Sequence, residues 1–143
     1  MSERDVGRGP EVGRPLPRLD EPDTGPFWEA TRSGELRYPV CAKCGGVVFY
    51  PRGHCTHCTS LELEWRTSAG QGAIYTYTVI RQHGHPYFRG RVPYVVAFVD
   101  LDEGFRMLAE VAGAEPDEVR VGQRVRVAWE DHGEVSVPLF RPA

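Results

Sequence analysis

The chain has almost no lysine. Lys43 is the single one among 17 Lys and Arg, and these are outnumbered by 20 Asp and Glu, which leaves a formal charge of −3 and a pI near 5.9. A protein that tracks a nucleic-acid backbone carries a basic face and a high pI, so this balance weighs against that class. Long apolar runs are missing as well. The longest, YVVAFV at 94–99, falls far short of the about 20 residues that a membrane helix needs. The opening stretch, MSERDVGRGPEVGRPLPRLDEPD, lacks the apolar segment of a secretory signal, and the expected location is the cytoplasm, with no membrane contact. Cysteine is scarce too, with four in 143 residues. Thiols stay reduced in that compartment, so paired cysteines point to metal or redox chemistry rather than to disulfides.

All four cysteines fall in one stretch, CAKCGGVVFYPRGHCTHC, from Cys41 to Cys58. Cys41 and Cys44 form one C-x-x-C pair, Cys55 and Cys58 the other, ten residues apart. Each pair can fold as a tight knuckle with both sulfurs inward, and two facing knuckles make a tetrahedral four-sulfur site suited to Zn²⁺. Gly45 and Gly46 follow the first pair, where the chain must turn sharply. The gap can form a short hairpin, with VVFY (47–50) as strand and PRG (51–53) as turn. Rubredoxin-type iron uses the same ligands, whereas a redox dithiol usually comes as a single pair. His54 and His57 flank the second pair and read as exposed ribbon residues. Four protein ligands leave no open coordination position, so this metal is structural and not catalytic. One Zn²⁺ on four thiolates adds −4 and +2 and would take the formal charge to −5.

The rest of the chain orders itself around that cluster. Residues 1–23 hold four aliphatic residues besides Met1 and cannot bury much surface, so the expectation is a flexible or partner-bound tail. Residues 24–36 read as a short helix with Thr24 as cap, Pro26 in the first turn and Gly34 as the left-handed stop. Phe27 and Trp28 are expected to pin it to the domain's own sheet or to a partner. Residues 37–62 are the ribbon and 63–143 the barrel. Leu61, Leu63 and Trp65 alternate with charged residues, and GQGAIYTYTVI (70–80), YVVAFVDL (94–101), FRMLAEV (105–111), QRVRVAWED (123–131) and EVSVPLF (134–140) read as strands. Tight turns are expected at 102–104 and 131–133, and at most one helical turn in GAEPDEVRVG (113–122). The fold class is mostly β: a short helix, a rubredoxin-like zinc ribbon and a five-stranded OB-fold barrel.

This order of motifs resembles a bacterial and archaeal zinc-ribbon/OB-fold family associated with acyl-CoA metabolism. The resemblance covers about residues 24–140. It rests on GELRYxxCxxCG, YPRxxCxxC and WxxxxGxGxIYTYTVI, with Gly34, Leu36, Cys41, Cys44, Gly45, Pro51, Arg52, Cys55, Cys58, Trp65, Gly70, Gly72, Tyr75 and Val79 in place. Thr59 departs from the glycine often found after the second pair. The family implies a partner subunit of thiolase-superfamily enzymes, among them thiolases and the retro-aldolases that shorten steroid side chains, with the catalytic residues on the partner. The function expected from the resemblance is therefore a non-catalytic accessory subunit acting with a thiolase-like enzyme on acyl-CoA thioesters, in steroid side-chain or aromatic-acid degradation. A heterotetramer with two copies of each subunit is expected, with acyl-CoA at or near the interface.

Within the barrel, RQHGHPYFRGRVP (81–93) stands out. It carries Arg81, Arg89 and Arg91, no acid, His83 and His85, and is longer than an ordinary hairpin loop. These arginines can meet the phosphates of CoA or an acidic partner surface. No third ligand, nucleophile or orienting carboxylate accompanies the two histidines, so they read as loop residues. His132 falls in a predicted turn and is expected to be exposed. The alternative is an OB-fold protein that binds single-stranded nucleic acid, with Tyr75 and Tyr77 stacking from one face of the first strand. Against it, the barrel segment 61–143 holds nine Arg and twelve Asp or Glu.

Overall fold

The computed structural model describes residues 13–143; the tail expectation for residues 1–12 lies outside the described residues. Helix α1 (Gly25–Thr31) and strand β1 (Arg37–Cys41) lead into the cysteine stretch, and β2 (Leu63–Thr67) returns antiparallel to β1. Five strands follow: β3 (Gln71–Ile80), β4 (Tyr94–Leu101), β5 (Arg106–Val111), β6 (Arg124–Asp131) and β7 (Ser136–Pro142). They close a barrel in the order β3-β4-β5-β7-β6. All pairings are antiparallel except the β5–β7 closure, which is parallel through Val111 and Phe140.

Period two drives the barrel. Val95, Ala97, Val99 and Leu101 of β4 and Met107, Ala109 and Val111 of β5 point inward and are buried, while their neighbours face out. Burying one such Val, Leu or Met side chain is worth about 1.5–3 kcal/mol. Gly72 sits where β3 crosses closest to β4: a Cβ there would collide with the Asp100 carbonyl oxygen, so no larger residue fits.

The first strand of the segment 63–143 is not itself a barrel strand. β2 belongs with β1 in a two-stranded sheet, and the barrel begins at Gln71. The alternation of Leu63 and Trp65 is a real strand signal, but alternation does not say which sheet a strand joins. VVFY also falls short of a strand, contributing one bridge, Val40 to Val47. The 81–93 segment contains a short helix, α2 (Pro86–Arg89), whose N-terminus is capped by the His85 side chain accepting from the Tyr87 amide. In 113–122 a single 3-10 turn (Pro116–Glu118) appears. Thr24 makes no side-chain cap; its carbonyl accepts from the Trp28 amide (3.1 Å).

Three connections join ribbon, helix and barrel. The first is aromatic. Phe105 at the start of β5 stacks on Tyr38 (4.8 Å between centroids) and lies 4.7 Å from Phe49, which meets Phe27 at 5.8 Å. The second is Thr31, buried at the end of α1, whose hydroxyl accepts from the Ser136 amide on β7 (3.1 Å). The third is Glu103 in the β4–β5 turn. It accepts from the Ser68 hydroxyl (2.7 Å) and the Ala69 amide (2.8 Å), and the Ser68 oxygen accepts in turn from the Gly70 amide (2.9 Å). Hydrogen bonds to a charged group contribute about 1.5–3 kcal/mol. Glu103→Ala is therefore expected to lower the unfolding free energy by about 1–3 kcal/mol, read from urea denaturation. An unchanged midpoint would mean that the aromatic contacts alone carry the junction.

Candidate functional site

The four cysteine sulfurs converge. All lie within 4.8 Å of one another, and the Cys41–Cys58 and Cys44–Cys55 sulfurs are each 3.6 Å apart. A tetrahedron with Zn–S bonds of 2.3 Å has sulfur–sulfur edges of about 3.8 Å, so the set fits a zinc ion with little adjustment. The surrounding amides fit thiolates. Cys41 accepts from the amides of Lys43 and Cys44 (both 3.4 Å), and Cys55 from those of His57 (3.3 Å) and Cys58 (3.4 Å).

The thiols accordingly do not titrate alike. The Cys44 amide leads in lowering Cys41, which falls to about 6 despite its burial. Burial raises Cys55, but the Cys58 and His57 amides outweigh it and hold the thiol below its usual range. At Cys44 the Gly46 amide pulls downward, but hydrogen bonds with the Cys55 and Cys58 thiols prevail and push it up to about 12. Backbone amides thus reach Cys41, Cys44 and Cys55, as the second shell of a metal-thiolate site does.

The two knuckles superimpose in their backbone logic. Gly45 has φ 77° and its amide donates to the Cys41 carbonyl; Thr59 has φ 66° and its amide donates to the Cys55 carbonyl, both at 2.9 Å. Thr59 therefore preserves the second knuckle's geometry, with a β-branched side chain in the left-handed region. His57 packs over Gly46, where a Cβ would strike its ring, and its Nε2 meets the Val47 carbonyl (3.1 Å). His54 is exposed.

The arginine loop differs from expectation in one residue. Arg91 is not a free cation. It reaches Glu110 (3.0 Å) and Glu130 (3.4 Å), donates to the Tyr87 hydroxyl (2.6 Å), and lies over the Tyr87 ring. Burial opposes its charge, but the hydrogen bond and proximity of Glu110 outweigh this and raise its pKa. Arg89 donates to the Gly84 carbonyl (2.6 Å) and is exposed, as is Arg81. His83 accepts from the His85 amide (3.0 Å) and lies against Phe88.

Sequence reasoning missed the other members of the Arg91 cluster. Arg14 enters from the N-terminal arm, with its Nη1 3.1 Å from Glu130 and 3.9 Å from Glu110, and its guanidinium over Tyr87 and Phe88. His132, expected to be exposed, is half-buried and pairs with Glu130 (2.7 Å). No local motif announces these residues. An outward glutamate on a strand is ordinary, and an arginine in a proline-rich arm reads as solvated.

The stacking pair of the nucleic-acid reading is also separated. A register shift between Ile74 and Thr76 puts one extra residue into β3. Tyr75 stays outside, 52% exposed, while Tyr77 turns to pack on the core. The Arg106 guanidinium covers the Tyr75 ring at 3.5 Å and is itself paired with Asp100. Among the described residues no helix is long and apolar enough to cross a membrane.

A cavity of about 220 Å³ opens beneath α1, walled by Phe27, Trp28, Phe49, Met107, Leu108 and Pro138. Tyr50 closes one side, and its hydroxyl accepts from the Leu108 amide (2.8 Å).

Residues 28–64 match the family described as ChsH2, rubredoxin-like zinc ribbon domain, and residues 65–130 match ChsH2, C-terminal OB-fold domain. The probable enoyl-CoA hydratase alpha subunit of Thermomonospora curvata is 36% identical over 94% of the chain, which spans 41% of that relative's length. The benzoylsuccinyl-CoA thiolase subunit BbsA of Geobacter metallireducens is 32% identical, with 82% of each chain covered. Among solved structures, the Ltp2-ChsH2(DUF35) aldolase superposes with a TM-score of 0.80 at 34% identity, covering 90% of this chain and 98% of that one.

Two outcomes follow for the clasp and the ion cluster. Thr59→Gly, which removes side-chain strain at positive φ, is expected to raise stability by about 1 kcal/mol and to slow zinc loss to a chelator, while Cys41→Ser is expected to lose the metal and unfold the ribbon. Zinc analysis and thermal melts read both. The Glu130 carboxyl is held below its ordinary 4.5: burial raises it, but the His132 hydrogen bond, Arg14 and Arg91 prevail. A carboxyl depressed in the folded state stabilises above its unfolded value and gives that up as pH falls through the folded one. The cluster should therefore loosen below pH 4.5, seen as faster amide exchange around Glu130.

Proposed function

Because the chain belongs to the ChsH2 (DUF35) family of zinc-ribbon and OB-fold proteins, we propose that it is a non-catalytic accessory subunit of a cytoplasmic thiolase-like enzyme, a thiolase or retro-aldolase acting on acyl-CoA thioesters. The match to the DUF35 subunit of an aldolase assembly over 98% of that subunit carries the reading. The thiolase subunit BbsA supports it from a second chemistry. The metal centre agrees: four protein ligands close the coordination sphere, so the zinc stabilises rather than reacts.

In this reading the partner contributes nucleophile and base, and two copies of this chain join a partner dimer. The exposed Arg81 and Arg89 face the partner or the phosphates of CoA near the interface, whereas Arg91 is already paired with Glu110 and Glu130 on the outside of the barrel. Rim charges of this kind set encounter and orientation more than raw affinity.

The test is co-expression with a thiolase-like partner. The expected result is a stable complex on size exclusion, with carbon–carbon bond cleavage or formation only when both chains are present. Two separate species at micromolar concentration would refute the assignment. Arg81→Glu with Arg89→Glu is expected to slow assembly or to raise KM for the CoA ester, with the barrel intact by circular dichroism.

A further inference from the structure

The cavity beneath α1 has an unusual rim. Arg14 and Thr24 both line it, so the arm between them connects two points on the cavity wall. The arm has little hydrophobic footprint of its own. Leu16 and Leu19 are 46% and 41% exposed, and Arg18 pairs locally with Asp20 in solvent. Among the described residues, the arm's long-range polar contacts are those of Arg14.

Arg14 is, by contrast, deeply set, with its side chain 11% exposed. Its guanidinium lies 5.6 Å from the Tyr87 ring centre and 5.2 Å from that of Phe88, with Glu130 and Glu110 on the charged side. Glu110 is 9% exposed. Arg91 already serves both carboxylates from the other side. Two carboxylates with one arginine would leave a negative charge uncompensated in a half-dry site, and the second cation balances it. A planar guanidinium suits the place better than an ammonium, because it stacks on the rings while forking toward carboxylates.

We propose that Glu110, Glu130, Tyr87 and Phe88 form a guanidinium receptor, with Arg14 its resident occupant, and that this plug ties the N-terminal arm to the rim of the apolar cavity, which Arg14 itself lines. Among the described residues Arg14 is the arm's long-range polar anchor, so the arm can open without disturbing the barrel, since local opening costs only the contacts it breaks. Access to the cavity is then governed by whether Arg14 is seated. The inference concerns this chain alone and stands whatever enzyme it joins.

The test compares wild type, Arg14→Ala and Arg14→Lys by trypsin cleavage after Arg18 and by uptake of the apolar dye anilinonaphthalene sulfonate. Arg14 itself precedes Pro15 and resists trypsin. In Arg14→Ala, cleavage after Arg18 is expected to be at least about tenfold faster, the loss of one charge-assisted anchor, with tighter dye binding. Arg14→Lys should fall between. Ethylguanidinium added to Arg14→Ala should restore amide-exchange protection at Glu110 and Glu130 while the arm stays open. Added to wild type, it should release the arm by competition, a readout that needs no variant to fold. Unchanged arm cleavage in Arg14→Ala, or in wild type with ethylguanidinium, overturns the plug. A released arm with unchanged dye binding overturns the gate.

Discussion

The convergence of four sulfurs is the constraint on which the rest of the molecule depends. The ribbon's own buried cluster is Cys41, Val48 and Cys55, with Cys58 and Leu63 packed beside it. That is too little apolar surface to offset the ordering of the 42–62 segment, so the metal's binding energy is the ribbon's folding energy. What the clasp holds in place is not confined to the ribbon. Phe49, Tyr50 and Pro51 project from it toward the barrel, where Phe49 packs on Phe105 and Tyr50 receives the Leu108 amide. One wall of the cavity is therefore built by a segment whose conformation the zinc site dictates.

Charge is spent internally in the same way. Arg106 is paired with Asp100, Arg124 with Asp102, and Arg91 and Arg14 with Glu110 and Glu130. Arg106 and Asp100 lie directly opposite each other on β5 and β4, where opposite charges reinforce the register. The two exposed pairs are worth little each in stability, but they remove arginines from the pool that could meet a polyanion. The bulge that separates Tyr75 from Tyr77 also removes the stacking platform that a nucleic-acid groove along β3 would use.

The sequence was most legible where one residue type has one use. Two C-x-x-C pairs ten residues apart admit few structures, and inward-outward alternation on β4 and β5 marks both strands and their buried faces. It was least legible where the deciding contact is distant. Leu63 and Trp65 alternate as a strand does, yet nothing local says that β2 pairs with β1 across 28 residues and not with the barrel. Thr59 replaces a glycine and still adopts φ 66°, because the metal-site geometry overrides its preference. Arg14 and Glu130 are 116 positions apart, and their pairing depends on how the barrel closes.

Three unrelated devices bound the cavity: the zinc clasp behind Phe49 and Tyr50, the aromatic column through Phe27, and the Arg14 plug at the mouth. They differ in what can release them. The clasp yields to chelation or thiol chemistry, the column to global unfolding, and the plug to a competing cation or to protonation of Glu130. On the proposed accessory role, what matters is the surfaces the chain holds in place, and here those surfaces have separate thresholds. The plug, held by one side chain, has the lowest. It can therefore respond to a docking partner while the zinc site and the barrel core stay fixed, since a partner's differential contacts need only exceed what a single guanidinium contributes.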